Sequence, residues 1–265
     1  MSEKFKNIIE RNYSKLADDL ISWIKTEIRE AGADGAVIGL SGGIDSSLTS
    51  LLCKKAFPEN TLGLVMPCGS NPQDQKDAEK HAEKFSIEYK VINLNSIYQE
   101  FINTIDNVED KINLNKKIEK NEEIDSTLKM ALANVKPRLR MTTLYYYAAL
   151  NNYLVVGTDN RSELKLGYFT KFGDGGIDLA PIGNLVKTEV RALAKELGID
   201  EKIISKAPSA GLWEEQKDEK ELGISYEEID KYILTGEAPQ DIKKKVDNVS
   251  EKNAHKLQLP NIPDF

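Results

Sequence analysis

A short apolar segment followed at once by two glycines is the feature that most constrains the fold of this chain. Ala36–Leu40 is apolar and too short for a helix, which predicts a buried strand. The next residues, Ser41–Ser47, read Ser-Gly-Gly-Ile-Asp-Ser-Ser, and a helical pattern runs from about Asp45 to Ala56. A strand that turns through glycines directly into a helix is typical of a parallel sheet covered by helices.

The rest of the chain continues this alternation of strands and helices. We predict further strands at Thr61–Met66, Glu88–Leu94 and Tyr153–Val156, and helices at Phe5–Ile28, Pro72–Phe85, Asn134–Leu150, Tyr226–Leu234 and Pro239–Leu257. This order predicts an α/β fold: a doubly wound parallel sheet with helices on both faces, and ligands beyond the carboxyl ends of its strands. One domain is expected to span residues 1–265, with an exposed, charged helical excursion at Asp106–Lys129 and a helical C-terminus.

The loop Ser41–Ser47 has the composition of a pyrophosphate site. Glycines let the backbone approach an anion closely, and the start of a helix offers unpaired amides and a positive dipole end. The carboxylate of Asp45 would repel phosphate unless a cation lay between them, which suggests Mg²⁺. A plain glycine turn with serine and aspartate as helix caps is the simpler alternative. The loop is not a Walker loop, because the lysine of that motif is missing.

A second polar segment follows the predicted strand that ends at Val156. Thr158 lies just past that strand, and Glu163 either completes a carboxylate pair for Mg²⁺ with Asp45 or is an ordinary surface residue. In the loop that comes next, Lys171 could neutralise an anionic substrate and Asp174 could accept hydrogen bonds, while two aromatic residues could stack on a planar ring: Tyr168 and Phe169. Composition alone fits a tight turn with aromatic packing equally well.

Charge and residue usage exclude several classes of function. The net charge of −7 gives the chain no global electrostatic reason to bind nucleic acid. His81 and His255 are the only histidines, and with Cys53 and Cys68 they form no recognised zinc spacing and no probable basis for a histidine triad. No apolar run approaches the length of a membrane span, and the charged N-terminus lacks a signal-peptide core. We therefore expect a cytoplasmic protein that binds no membrane.

Two levels of family resemblance sharpen these expectations. Ser-Gly-Gly-Ile-Asp-Ser resembles the signature of the PP-loop ATP pyrophosphatases, which adenylate a substrate and release pyrophosphate. The block Gly157–Gly198, together with Asn134–Met141, Lys206–Leu212 and Glu221–Asp230, resembles the ammonia-dependent NAD synthetases. This resemblance implies a ligase that uses ATP, ammonia and deamido-NAD (nicotinic acid adenine dinucleotide), and a homodimer. It covers roughly residues 16–234.

The resemblance also assigns roles to individual residues. It implies Mg²⁺ ligands at Asp45 and Glu163, and catalytic roles for Asp45, Glu163, Lys171, Asp174 and Lys187. Positions expected to bind ATP are Leu40, Ser41, Gly42, Gly43, Asp45, Ser46, Ser47, Met66, Thr158, Lys187 and Ser209. Positions expected to bind deamido-NAD are Asn134, Arg138, Tyr168, Phe169, Lys171 and Asp174. Val65 departs from the pattern, because some bacterial members have an ATP-contacting arginine there.

Two further expectations and two alternatives complete the sequence reading. The segment from about Lys206 to Gly223 resembles a mobile lid over ATP, which would keep water from the acyl adenylate. The synthetase homology leaves no room for a glutamine-hydrolysing domain, so free ammonia is the expected nitrogen donor.

The alternatives are another PP-loop enzyme, such as a tRNA-modifying adenylase, and a non-catalytic ATP-binding module. The acidic charge disfavours the first, and the presence of Asp45, Glu163 and Lys187 disfavours the second.

Overall fold

The computed structural model describes residue 5 and the ranges 9–108, 125–209, 211 and 218–263. The strands are β1 Gly35–Gly39, β2 Thr61–Val65, β3 Glu88–Val91 and β4 Tyr153–Val155. The helices are α1 Tyr13–Glu30, α2 Ile44–Ala56, α3 Pro72–Lys84, α4 Asn95–Val108, α5 Ser126–Asn151, α6 Arg161–Leu166, α7 Lys187–Glu196, α8 Glu201–Ile204, α9 Asp218–Leu222, α10 Tyr226–Thr235 and α11 Gln240–Asn253, and a 3₁₀ turn covers Ala254–Leu257.

The four strands form one parallel sheet in the order β3-β2-β1-β4. The chain moves outward from β1 through β2 to β3 and then returns to the other side of β1 for β4. The order therefore reverses between β1 and β4, which is where ligands bind in open α/β sheets. The segments that follow these two strands begin at Leu40 and Val156, so the predicted pyrophosphate loop and the Thr158–Glu163 segment lie side by side. The predicted fold class is confirmed.

Alternate side chains of β1 enter different cores on the two faces of the sheet. Ala36 and Ile38 pack with α1, α2 and α7, whereas Val37 packs with residues of β2, β4 and α5. The first core contains the fully buried Ile24 of α1 and Leu48 of α2. These two layers hold β1 and α2 in place, and with them the loop that joins them.

The last helices form a smaller core of their own. Ile229 of α10 and Val246 of α11 pack with Leu166, the last residue of α6. This cluster attaches the C-terminal helices to the short helix that carries Glu163. The two predicted C-terminal helices are thereby confirmed, and they contribute directly to the environment of the site.

Three predicted boundaries differ from the structure. Residues 10–12 are not helical, and α1 begins only at Tyr13, because the Asn12 side chain caps the helix by accepting from the Lys15 amide at 2.9 Å. Strand β3 ends at Val91, three residues before Leu94. Helix α5 begins at Ser126 instead of Asn134, and it continues through Pro137.

Part of the sequence reading falls outside the described residues. The charged excursion predicted at Asp106–Lys129 lies mostly at 109–124, and the lid prediction includes 210 and 212–217. Among the helices of the described ranges, none is both long enough and apolar enough to cross a membrane.

Candidate active site

The loop after β1 depends on one glycine and a pair of serine hydroxyls. Gly42 has φ +73°, and a Cβ atom at this position would lie 2.2 Å from the backbone oxygen of Asp74 in α3. Glycine satisfies both constraints at once. The Ser41 and Ser46 hydroxyls lie 2.9 Å apart, and Ser46 Oγ donates to the Gly43 carbonyl at 3.1 Å. The loop is thus held by close packing of Gly42 against α3 and by hydrogen bonds of its own serine hydroxyls.

The first turn of α2 faces this loop without a side-chain cap. Gly43 is the N-cap residue and makes no side-chain hydrogen bond to the helix. The first amides of α2 have no intrahelical acceptors, so they remain available to a ligand. Together with the helix dipole they favour an anion. Ser46 and Ser47 are both buried at the start of this helix.

A buried lysine joins the two predicted metal carboxylates. Lys187, the first residue of α7, has only 2% of its surface exposed. Its Nζ lies 2.5 Å from Asp45 Oδ2 and 3.3 Å from Glu163 Oε1. Three segments of the chain therefore meet at one charge cluster beside the loop: the start of α2, the start of α6 and the start of α7. The structure brings Asp45 and Glu163 together with Lys187, while the metal role of the two carboxylates stays a prediction.

Asn160 fixes the two carboxylates relative to each other. Its Nδ2 donates to Asp45 Oδ1 at 2.9 Å, and its Oδ1 accepts from the amides of Ser162 and Glu163 at 3.0 and 3.1 Å. Glu163 Oε2 accepts in return from the Asn160 amide at 3.1 Å, which completes a capping box at the start of α6. Sequence reasoning missed Asn160, although an Asn three residues before a Glu is a recognisable helix-start signal.

The titration of this cluster reflects burial and mutual charge. Burial raises the pKa of Glu163 to about 7, with Lys187 acting against the rise and Asp45 adding to it. Burial lowers the pKa of Lys187, but the nearby carboxylates of Asp45 and Glu163 outweigh that effect, so its pKa is raised overall. Lys187 is accordingly a permanent positive charge at neutral pH, held next to the place where the loop would hold phosphate.

Asp159 adds a third acid to the site. Its side chain is 6% exposed, and Oδ2 is buried without a hydrogen-bond partner in the described structure. Burial, Asp174 and Glu163 raise its pKa well above the usual range. A buried carboxyl group without a partner is costly unless it becomes neutral or meets a cation. Sequence reasoning assigned no role to Asp159, although it directly follows Thr158 just past the predicted strand.

The donor set fits a hard divalent cation. Asp45, Glu163 and Asp159 offer only oxygen atoms, which Mg²⁺ prefers, and Oδ2 of Asp159 is buried without a hydrogen-bond partner among the described residues. No group of three or more potential ligands is already arranged for a metal among the described residues. A Mg²⁺ ion here would therefore need phosphate and water oxygens as well, as is usual for magnesium–nucleotide sites.

The remaining predicted ATP positions occupy the ends of strands and the base of the lid. Leu40 and Met66 are buried where β1 and β2 end, and Thr158 is half-buried beyond β4. Ser209 is exposed, and its hydroxyl accepts from the Gly211 amide at 3.1 Å. Within the described part of the lid, no contact joins Ser209 to the pyrophosphate loop, so its ATP contact stays a prediction.

Arg140 and Lys206 are cations near the ends of strands β2 and β1, and Arg140 binds the residue that follows Val65. Val65 is buried in the sheet. Arg140 Nε donates to the Met66 carbonyl at 3.0 Å, and Lys206 Nζ donates to the Gly42 carbonyl at 3.2 Å and to Asp74 Oδ1 at 2.6 Å. Sequence reasoning missed both cations. Lys206 ties the base of the lid directly to the pyrophosphate loop.

The predicted substrate loop is organised by Asp174 and Asn134. Asp174 Oδ1 accepts from the Thr170 amide at 2.8 Å, and Thr170 Oγ1 donates to Asn134 Oδ1 at 2.7 Å. Arg138 is exposed one helical turn after Asn134 and donates to the Lys171 carbonyl at 3.4 Å. The structure therefore gathers all four polar residues predicted to contact deamido-NAD around one loop.

The two predicted aromatic residues are engaged by the protein itself. Phe169 is 9% exposed, with Lys256 Nζ 5.7 Å from its ring centre. Tyr168 Oη donates to Glu221 Oε2 at 2.8 Å and to Asp218 Oδ1 at 3.3 Å. Their stacking on a substrate ring stays a prediction. Phe172, which sequence reasoning passed over, is 59% exposed and has φ +59°, so it is the open aromatic surface of this loop.

The C-terminal segment holds the substrate loop in place. Lys256 Nζ donates to the carbonyls of Gly167 and Phe169 at 2.8 and 2.9 Å. In the opposite direction, Lys171 Nζ donates to the carbonyls of His255 and Gln258 at 2.7 and 3.2 Å. The predicted anion-binding lysine is thus bound to backbone oxygens here. No sequence signal pointed to these reciprocal contacts.

Comparison with known proteins identifies the family. The family model described as NAD synthase matches residues 16–260. The chain belongs to the NAD synthase family. Its similarity to an NH(3)-dependent NAD(+) synthetase from Carboxydothermus hydrogenoformans reaches 50% identity over 252 residues, covering 95% of this chain and 98% of the relative. The resemblance predicted from the sequence is confirmed.

Solved structures of the NAD synthase family share the fold over nearly the whole chain. The structure of an NMN synthetase from Francisella tularensis has a TM-score of 0.85 at 33% identity and covers 97% of this chain and 100% of that chain. An NH3-dependent NAD synthetase from Campylobacter jejuni has a TM-score of 0.75 at 33% identity, covering 96% of this chain and 100% of that chain. Two substrate descriptions thus occur among its structural neighbours.

The geometry of Gly42 leads to a prediction about the loop. We expect Gly42→Ala to abolish ATP binding, because a Cβ atom there would meet the Asp74 backbone and displace the loop. Gly198→Ala is the matched control, since Gly198 has φ +74° but no atom within 4 Å of its added Cβ. Both variants should lose about 1 kcal/mol of stability from the left-handed backbone, measured by urea unfolding. Equal ATP binding in the two variants, measured by calorimetry, would contradict this account.

The orphaned acid leads to a prediction about stability and pH. The folded protein holds the Asp159 proton more tightly than the unfolded chain does, so its contribution to stability decreases as the pH rises above the ordinary aspartate range. We expect Asp159→Asn to raise the free energy of unfolding at pH 7 in the absence of ligands. The gain should grow by at most about 1.4 kcal/mol per pH unit and vanish near pH 4. Urea titrations at several pH values measure it, and a gain that is constant with pH would refute the assignment.

Proposed function

We propose that this chain catalyses the ATP-dependent amidation of deamido-NAD to NAD⁺ with ammonia, releasing AMP and pyrophosphate. The observation that carries the proposal is the buried Lys187, which shares its charge between Asp45 and Glu163 beside an uncapped helix start. This is the arrangement expected where a polyanion must be bound and its leaving group stabilised. The substrate follows from the similarity to NH(3)-dependent NAD(+) synthetases at up to 50% identity among the relatives compared.

In the first step the nicotinate carboxylate attacks the α-phosphorus of ATP. The bond from that phosphorus to the bridging oxygen breaks, pyrophosphate leaves, and an acyl adenylate remains. Both reactants are anionic, so positive charge and oriented amides must offset their repulsion. Lys187 and the open amides at the start of α2 supply these, and Ser41 and Ser46 add hydroxyl donors to the leaving pyrophosphate.

Mg²⁺ is the metal that we propose for this site. Asp45 and Glu163 would hold it. When bound, the ion neutralises phosphate charge and favours departure of pyrophosphate. The protein residues align the two anions and hold Lys187 against them, which supplies the positioning part of the rate enhancement.

In the second step ammonia attacks the acyl carbon of the adenylate. The carbon–nitrogen bond forms, AMP leaves with the electron pair of the acyl–oxygen bond, and the nitrogen loses a proton. Water competes with ammonia for the same carbon, so the site must be closed during this step. We propose that the lid does this, since Lys206 at its base contacts the Gly42 carbonyl. We further propose that the nitrogen comes from free ammonia and that no glutaminase domain is needed.

The substrate loop orients the dinucleotide. We propose that Asn134, Arg138, Lys171 and Asp174 contact deamido-NAD, because the first two lie on α5 where it contacts the loop that carries the other two. Lys171 would exchange its contacts with the His255 and Gln258 carbonyls for contacts with the anionic substrate. The loop is therefore shaped before the substrate binds, which lowers the entropic cost of binding.

Assembly and location are proposed on separate observations. Tyr146 and Leu150 on α5 are 63% and 65% exposed, which suits burial against a second copy of the chain in a homodimer. Sedimentation velocity tests this, and a monomer at micromolar concentration would overturn it.

Cys53 and Cys68 are free and buried, as expected in the reducing cytoplasm, where we propose that the enzyme works.

A product assay tests the reaction itself. The purified chain with ATP, Mg²⁺, ammonium and deamido-NAD should form NAD⁺ and AMP in equal amounts, and glutamine should not replace ammonium. Nicotinic acid mononucleotide is the comparison substrate, because an NMN synthetase is among the structural neighbours. Faster turnover of the mononucleotide would reject deamido-NAD as the substrate. If neither substrate reacts although ATP still binds, the substrate assignment is rejected, and only the family membership and the proposed adenylating site remain.

The metal carboxylates give a second prediction. We expect Glu163→Gln to lower kcat on the order of 100-fold or more, because a charge that balances the phosphates and the metal is lost. Glu189→Gln is a matched control: Glu189 occupies the same capping position of α7, where Oε2 accepts from the Val186 amide at 3.1 Å, but it lies outside the charge cluster. Asp45→Asn should also abolish adenylation. Normal turnover in either site variant would reject the metal assignment.

A further inference from the structure

Asp230 lies between the two short helices that carry the catalytic charges. Its Oδ1 accepts from Ser162 Oγ at 2.5 Å, and its Oδ2 accepts from the amide and the hydroxyl of Thr188 at 2.7 and 2.6 Å. Ser162 directly precedes Glu163, and Thr188 directly follows Lys187. One carboxylate on α10 is therefore bonded to the immediate neighbours of both groups.

The contact is closed off from water and continues between the helices. Asp230 and Ser162 are fully buried. Ser162 Oγ also lies 3.3 Å from the Lys187 amide, which donates to it. Burial raises the pKa of Asp230, while the hydrogen bonds from Ser162 and Thr188 oppose the rise. A buried carboxylate tolerates this environment because several donors surround it and because it lies at the positive end of α7.

We propose that Asp230 is a positioning residue for adenylation, which sets the spacing between Glu163 and Lys187 by fixing the first turns of α6 and α7. The proposal rests on the proposed function. Lys187 Nζ and Glu163 Oε1 are 3.3 Å apart, and neither side chain touches Asp230 in the described contacts. The effect of Asp230 is thus transmitted through backbone position. A displacement of about 1 Å in such an arrangement costs on the order of 100-fold in rate.

The chemistry of the contact explains why a carboxylate serves here. Both of its oxygens accept, and the Thr188 amide can only donate. An asparagine could keep its oxygen toward Thr188 and turn its amide toward Ser162 Oγ, which is able to accept. An alanine would leave the Thr188 amide and both hydroxyls without this partner. The structure thus predicts a graded series, in which Asp230→Asn retains part of the function and Asp230→Ala retains least.

The experiment measures kcat and both KM values per folded molecule. We expect Asp230→Ala to lower kcat by 10-fold or more at saturating substrates, with the KM for deamido-NAD changed less than 3-fold, and Asp230→Asn to lie between it and the wild type. Asp247→Ala is the matched control. Asp247 on α11 accepts from the hydroxyl of Tyr232, which lies on α10 as Asp230 does, at 2.9 and 3.1 Å, and it makes no described contact with α6 or α7. The control should keep its kcat, and it should lose less stability than Asp230→Ala because Asp247 is only half-buried and accepts from a single hydroxyl. An unchanged kcat in Asp230→Ala, or an equal loss in Asp247→Ala, overturns the proposal.

A mutant cycle tests the route of the effect. Ser162→Ala and Thr188→Val each remove one donor to Asp230, so each should lower kcat in the wild type and have little further effect in Asp230→Ala, where the carboxylate that they contact is already absent. Full additivity would overturn the proposal. If Asp230→Ala does not fold, these milder variants carry the test.

Amide hydrogen exchange of residues 161–164 and 187–189 is a readout independent of activity: faster exchange in Asp230→Asn supports the proposal, and unchanged exchange opposes it. An inactive wild type with protected amides would instead reject the proposed function.

Discussion

The site depends on burying one ammonium group between two carboxylates. Lys187 is nearly inaccessible to water, and such a charge is stable only when partners replace its hydration. Asp45 and Glu163 do so, but each comes from a different helix start, so the pairing holds three helix starts together at the edge of the sheet. The packing of α1 and α7 on one side and the C-terminal helices on the other keeps these helix starts in register. The same interaction therefore serves as a structural joint and as the charge centre of the proposed reaction.

Features formed by contiguous residues could be predicted from the sequence, whereas contacts between distant residues could not. The strand, the glycine loop and helix α2 are contiguous, so their order predicted both the fold class and the anion site. The Lys187–Asp45 contact spans 142 residues, and no pattern in the chain pointed to it; the family resemblance implied a role for each residue but not their contact. Strand β3 was predicted three residues too long, through Leu94, whereas its pairing with β2 ends at Val91. The cap at Asn12, a single side-chain contact, likewise ended a helix that periodicity would have continued.

Other features escaped prediction because they involve single side chains and backbone oxygens. The contacts of Lys256 with the Gly167 and Phe169 carbonyls leave no periodic or motif-like trace. Asp159 and Asn160 were overlooked between two residues with assigned roles, although they carry the orphaned acid and the link to Asp45. An acid that is buried without a partner lowers stability in the free protein, and it persists here next to the site where a cation and two anionic substrates would meet. Stability and ligand affinity are thus opposed at that position.

The reciprocal lysine contacts between the substrate loop and the C-terminal segment also bear on the order in which the site is assembled. Lys171 and His255 are separated by 84 residues, so the ribosome completes the sheet and the pyrophosphate loop well before it makes the residues that hold the substrate loop. A nascent chain can therefore acquire its nucleotide-binding half first. The dinucleotide half takes its final shape only when α11 and the 3₁₀ turn have docked. A partly made chain therefore lacks the contacts that hold Lys171 and the rest of the proposed substrate loop in place.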